Sequence, residues 1–130
     1  MSALEIHAGP QARAILRERG LRVDDVRVVP GAAGGPKALA LNALDRLLLG
    51  QWLQRAAHPV HLIGSSVGAW RMALACRRDA DAALRSFADD YIAQDYPHEP
   101  GRMPKPATVT RIFDDALRDH FAGREAEVLS

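Results

Sequence analysis

Two short stretches of this sequence carry residue types and spacings that can do chemistry. The first is Gly64-Ser65-Ser66-Val67-Gly68, a G-x-S-x-G pattern centred on Ser66. A serine held at a sharp strand-to-helix turn exposes its hydroxyl for attack on a carbonyl carbon. The N-terminus of the following helix, with the Val67 N–H, favours the oxyanion that forms. Such a turn brings backbone segments close together, and glycine at 64 and 68 avoids the clash that side chains would cause. The plain alternative is a Gly-Ser turn with no chemistry. Ser65 is expected to make local hydrogen bonds. The second stretch is Gly31-Ala32-Ala33-Gly34-Gly35-Pro36-Lys37. It has three readings: a phosphate cradle, an oxyanion hole using the N–H groups of Gly34 and Gly35, or a loop kept small for packing. The P-loop pattern fails because Lys37 is flanked by Pro36 and Ala38, and G-x-G-x-x-G is absent too. Pro36 has no N–H to offer. Ser66 lies 35 residues beyond Gly31, about the length of one crossover unit, which places both loops at one sheet edge.

The elements that must position these loops follow from periodicity. Ala3 to His7 reads as a short extended stretch. Gly9-Pro10 opens a helix that Gly20 closes, with Ala12, Ile15 and Leu16 on one side. Asp24-Asp25 is a turn, and Val26, Val28 and Val29 form a strand ended by Pro30. Leu39, Ala40, Ala43, Leu44, Leu47, Leu48 and Trp52 predict a helix with a broad buried face. Val60 to Ile63 is a short strand expected to be covered on both faces, with His61 buried and structural. A helix through Trp70, Met72, Ala73 and Cys76 follows. Asp79 or Asp81 caps the next, whose stripe is Leu84, Phe87, Ala88, Tyr91 and Ile92. Four prolines between Pro97 and Pro106 mark a loop. Thr108 or Thr110 starts a last helix with Val109, Ile112, Phe113, Ala116, Leu117 and His120 on its stripe. This order predicts an α/β fold with a parallel sheet of three strands and right-handed crossovers.

At the two loops the sequence resembles the patatin-like phospholipases. That family has a Gly-rich oxyanion loop, commonly G-G-G-x-[RK]-G, then a helix, then a strand leading into G-x-S-x-G. The stretch Pro59 to Arg71, PVHLIGSSVGAWR, is similar to its bacterial branch. The resemblance covers residues 26 to 76. It implies a three-layer hydrolase fold and a serine acyl hydrolase acting on lipid esters through a Ser-Asp dyad. Ser66 carries over as nucleophile and Gly34 and Gly35 as oxyanion donors. Gly31, Gly64 and Gly68 are motif positions, and Lys37 sits near the family's Arg/Lys. The loop is longer than the family pattern, and Ala38 stands where the closing glycine would be. The family's aspartate lies in an Asp-Gly-[Gly/Ala] motif, and this chain has no Asp-Gly dipeptide. No catalytic aspartate is therefore carried over.

A serine needs a neighbouring base near neutral pH. The order Ser, Asp, His is available as Ser66, then Asp95 or Asp114, then His98 or His120. Such partners normally end later strands, and none is visible. His120 reads as a packed or partly exposed helix residue, and His98 sits in the proline-rich loop. Trp52, Trp70 and Cys76 read as core, and Arg13, Arg17 and Arg19 as a solvated helix face that could alternatively touch an anionic lipid surface.

Composition narrows the remaining classes. The 130 residues carry 17 Lys+Arg and 16 Asp+Glu, so the basic excess of a nucleic-acid binder is missing. One cysteine excludes an internal disulfide framework and fits a reducing, cytoplasmic compartment. No HxxxH pair or cysteine pair suggests a metal, no cofactor is implied, and no apolar run is long enough for a membrane span. The expectation is one patatin-like acyl hydrolase domain present in its N-terminal part, poorly active by itself, with its base on an aspartate outside the chain. Its strand-and-helix region is 1–96, its Pro-rich loop 97–106 and its last helix 108–122. Its partner is a lipid or small ester, with peripheral membrane contact, and an open sheet edge favours a homo-oligomer. The alternatives are an acyltransferase with the same nucleophile, or a truncated, non-catalytic interaction domain.

Overall fold

Pro10 and Gly20 bound the first helix, as their backbone preferences require. In the computed structural model, which describes residues 5–129, it is α1, Pro10–Arg19. It buries no residue. Its Arg19 reaches Asp25 in a paired hydrogen bond at 2.7 and 2.9 Å, holding the Asp25 carboxyl down at about 2. The chain then forms β1, Val28–Gly31, and after a helical passage β2, His61–Gly64. These two strands pair in parallel, Val28 opposite His61 and Gly31 opposite Gly64. Among the described residues no third strand joins them. Ala3 and Leu4 lie outside the described residues, and Glu5 to Gly9 have no regular structure, with Ile6 exposed and no neighbour strand to join.

The passage from 35 to 55 departs most from expectation. In place of one helix it runs through a 3₁₀ stretch (Gly35–Leu41), α2 (Asn42–Leu47), a π-helical stretch (Leu48–Trp52) and a 3₁₀ turn (Leu53–Arg55). The anticipated apolar face is turned outward: Leu44, Leu47 and Leu48 are exposed, as are Ala40 and Ala43, while Leu39 and Trp52 are half-buried. Ala38, Asp45 and Leu49 are buried instead. The reason is polar. Three inward side chains each find a partner on the helices behind: Asn42 donates to Leu84 O at 2.7 Å, Arg46 pairs with Asp81 at 3.0 Å, and Asp45 accepts from Arg71. Buried polar groups tolerate this position only when paired, and these are.

Two helices carry the core, α3, Val67–Ala75, and α4, Ala80–Ala93. α5, Pro106–Phe121, begins two residues before Thr108 and packs at the margin of the core through Phe121. A short α6, Glu125–Leu129, was not anticipated. Leu74 and Leu84 are fully buried, with Met72, Ala83 and Phe87 around them. The Val29 and Leu62 side of the sheet packs against this cluster. The opposite side carries Val28 and Ile63, 49% and 61% exposed, so the strands are covered on one face. His61 is exposed on that same bare side, contrary to the buried role expected of it. Cys76 also departs from expectation: it ends α3 as an exposed residue, its thiol turned back to Met72 O at 3.4 Å, and partial burial raises its pKa. Asp79 precedes α4 without capping it, because Arg77 holds its carboxylate at 2.8 Å through two nitrogens. Ile92 falls outside the buried stripe at 70% exposure. Among the described residues no helix is long and apolar enough to cross a membrane.

Candidate functional site

β2 leads directly into α3, and the join is forced into an unusual shape. A Cβ at Gly64 would lie 2.4 Å from the Ala69 backbone, and one at Gly68 would lie 2.2 Å from Gly31 O. Neither distance is tolerable, so both positions must be glycine for helix and strands to approach this closely. Gly31 contributes from the other strand, where a Cβ would sit 3.0 Å from Gly68 O. Ser65 N–H donates to Gly31 O at 3.0 Å and ties the turn to β1.

Between these contacts lies Ser66, with φ 54° and ψ −129°. It is the one non-glycine residue with positive φ among the described residues. Holding an L side chain there costs on the order of 1–3 kcal/mol. Ser66 is also the residue that precedes α3, the place where serine ordinarily bonds the helix's free N–H groups. Its hydroxyl makes no such bond. The carbonyl does the work, accepting from Ala69 N–H at 2.8 Å and Trp70 N–H at 3.4 Å. Ser66 is thus left exposed beside the first turn of α3, where Gly68 N–H donates to Ser65 O at 2.9 Å and the next two N–H groups are taken by Ser66 O. Val67 N–H belongs to that turn.

α3 is fixed from behind by Arg71. Its guanidinium meets Asp45 in a two-pronged contact at 2.5 and 2.6 Å, both side chains 9% exposed. Paired, planar geometry of this kind gives directional as well as electrostatic restraint.

The Gly-rich loop is placed at the same sheet edge, as anticipated. Its first residues press on the turn: a Cβ at Gly68 would lie 2.7 Å from Ala32 O. Gly34 and Gly35 are different. A Cβ at Gly35 would meet nothing within 4 Å, and one at Gly34 only Lys37 at 4.0 Å. Packing therefore accounts for Gly31 but not for the later glycines. Gly35 has φ +52°, which favours glycine, whereas the φ of Gly34, 179°, lies outside the left-handed region. Lys37 is exposed, and its N–H donates to Gly34 O at 3.3 Å.

Ser66 and Val67 open onto a cavity of about 70 Å³ between α3, α4 and α5. Gly34, Gly35 and Lys37 do not line it. Its apolar wall is aromatic, built on Trp70, whose ring centre lies 5.8 Å from both Phe87 and Phe113. Its polar wall holds Asp90, Gln94 and His120. His120 Nε2 stands 3.4 Å from Asp90 Oδ2, and the ring packs against Phe87 at 5.7 Å. Burial lowers the His120 pKa, with Arg77 adding to the fall, while the Asp90 and Asp119 charges pull it back. Burial of His120 thus favours the neutral imidazole over the charged form.

Of the residues that could complete a Ser-Asp-His set, only His120 shares the cavity with Ser66. Asp95, Asp114 and His98 do not line it, and His98 is an exposed loop residue with Nδ1 on Tyr96 O at 2.6 Å. Asp90 and Gln94 were missed by sequence reasoning. Their signal was present, since Phe87, Asp90, Tyr91 and Gln94 follow i, i+3, i+4, i+7 and so share one face of α4. Among the described residues no three His, Cys, Asp or Glu side chains converge as a metal site. Comparison of the chain with protein-family models, with curated proteins and with solved structures finds no match.

Proposed function

We propose that the protein is a serine acyl hydrolase that cleaves carboxylic esters, with Ser66 as nucleophile and a patatin-like arrangement of strand, oxyanion loop and nucleophile turn. The observation that carries this reading is the Ser66 backbone. A strained, exposed serine precedes a helix without capping it, in a turn that two sterically obligatory glycines hold together. Strain of this kind persists only where surrounding structure over-determines it.

In the reaction, Ser66 Oγ attacks the ester carbonyl carbon while its proton passes to a base. The negative oxygen of the tetrahedral intermediate takes hydrogen bonds from Val67 N–H and from the Gly34 and Gly35 N–H groups once the loop carries them in. The C–O bond to the alcohol breaks, and the alcohol leaves with the proton. Water then attacks the acyl-serine, giving the carboxylic acid and restoring the Ser66 hydroxyl. Two bases are compatible with this scheme. One is an aspartate outside this chain, as the family resemblance implies. The other is His120 with Asp90, favoured by the cavity that both share with Ser66.

Hydrolysis of p-nitrophenyl butanoate by wild type and by Ser66→Ala tests the assignment. Loss of at least a hundredfold in kcat/KM is expected. Equal rates would remove Ser66 from the mechanism. A His120→Gln variant tests the second base: a comparable loss selects His120, and an unchanged rate removes it from the mechanism.

A further inference from the structure

The cavity beside Ser66 is too small for a long chain, and most of its lining is apolar. On the scale where one water needs roughly 10–15 Å³, its volume of about 70 Å³ holds on the order of five water-sized groups. Its aromatic wall is rigid for its size. Trp70 meets Phe87 in a tilted contact and Phe113 edge-on, and Phe87 meets Tyr91 edge-on at 5.6 Å. Widening the cavity would break several of these contacts together. Ala116 supplies the one small side chain on the α5 side, and Asp90, Gln94 and His120 form the polar wall.

We infer that this cavity is an acyl pocket that accepts short, unbranched acyl groups of about two to five carbons and rejects longer chains. This rests on Ser66 being the nucleophile. With the carbonyl carbon at Oγ, the acyl tail enters between α3 and α5 along Trp70, and the leaving alcohol faces solvent. Substitution of Ala116 by a larger residue fills the pocket, and truncation of Phe113 lengthens it.

The test is a series of p-nitrophenyl esters, acetate to dodecanoate, together with a binding measurement that does not need turnover. Butanoate should exceed octanoate at least tenfold in kcat/KM. Ala116→Phe should lower the butanoate-to-acetate ratio at least tenfold, and Phe113→Ala should move the optimum to longer chains. In a Trp52→Phe, Ser66→Ala background, Trp70 emission should shift with butanamide and not with octanamide. A flat or long-chain-favouring series overturns the pocket, as does octanamide shifting Trp70 equally. If butanamide binds but wild type neither turns over any ester nor takes up a fluorophosphonate at Ser66, the nucleophile reading fails while the pocket stands as a short-alkyl site.

Discussion

The two glycine-bearing loops at the sheet edge are built on opposite principles. At the nucleophile turn glycine is a steric necessity, because Cβ atoms at 64 and 68 would fall within 2.4 Å of backbone. In the Gly-rich loop, Gly34 and Gly35 face open space. One loop is locked by contact and by Arg71–Asp45 behind it. The other has open space around its later glycines. Composition alone does not distinguish the two, since both are short runs of small residues. What separates them is how much structure presses on each.

The lock breaks most severely at its anchor. Asp45→Ala leaves the Arg71 charge buried without its partner, and a loss of about 3–5 kcal/mol is expected by urea denaturation. A double Asp45→Leu, Arg71→Met variant should recover much of it. Next comes the turn: Gly68→Ala should cost about 3 kcal/mol through its clash with Gly31 O, whereas Gly34→Ala should stay within about 0.5 kcal/mol. Similar effects for the two would erase the distinction between the loops. A smaller and opposite change is expected at Ser66, where Ser66→Gly should be more stable than Ser66→Ala by about 1 kcal/mol, because glycine accepts φ 54° without strain.

The least of these effects is in pH dependence. His120 has its folded pKa lowered below the usual 6.5, chiefly by burial. The unfolded chain therefore takes up a proton first as pH falls. The stability His120 contributes is full above about 6.5 and is lost as pH drops through its folded pKa. Urea midpoints between pH 7.5 and 5 should fall less in His120→Gln than in wild type.

The sequence made the turn legible because its chemistry is local: glycine, serine and glycine at fixed spacing, between an apolar strand and an apolar helix. The same holds for α1, bounded by Pro10 and Gly20, and for the stripes of α4 and α5 apart from Ile92 and Leu117, which are exposed. What was not legible depended on partners distant in the chain. The leucines of α2 looked like a core face, yet Asn42, Asp45 and Arg46 won that face through Leu84, Arg71 and Asp81, residues 26 to 42 positions away. His61 looked buried because its neighbours are apolar, while the sheet has a bare side. His120 reads as a packed or partly exposed helix residue, and it is buried. That it faces the Ser66 cavity required the fold of α5 against α3 and α4.

The central claim is that Ser66 is a nucleophile poised by its turn. Peptide mass spectrometry after treatment with an alkyl fluorophosphonate tests it most directly. A single adduct is expected on the peptide that holds Ser66, absent in Ser66→Ala. An unmodified Ser66, or an adduct that persists undiminished in Ser66→Ala, would contradict it.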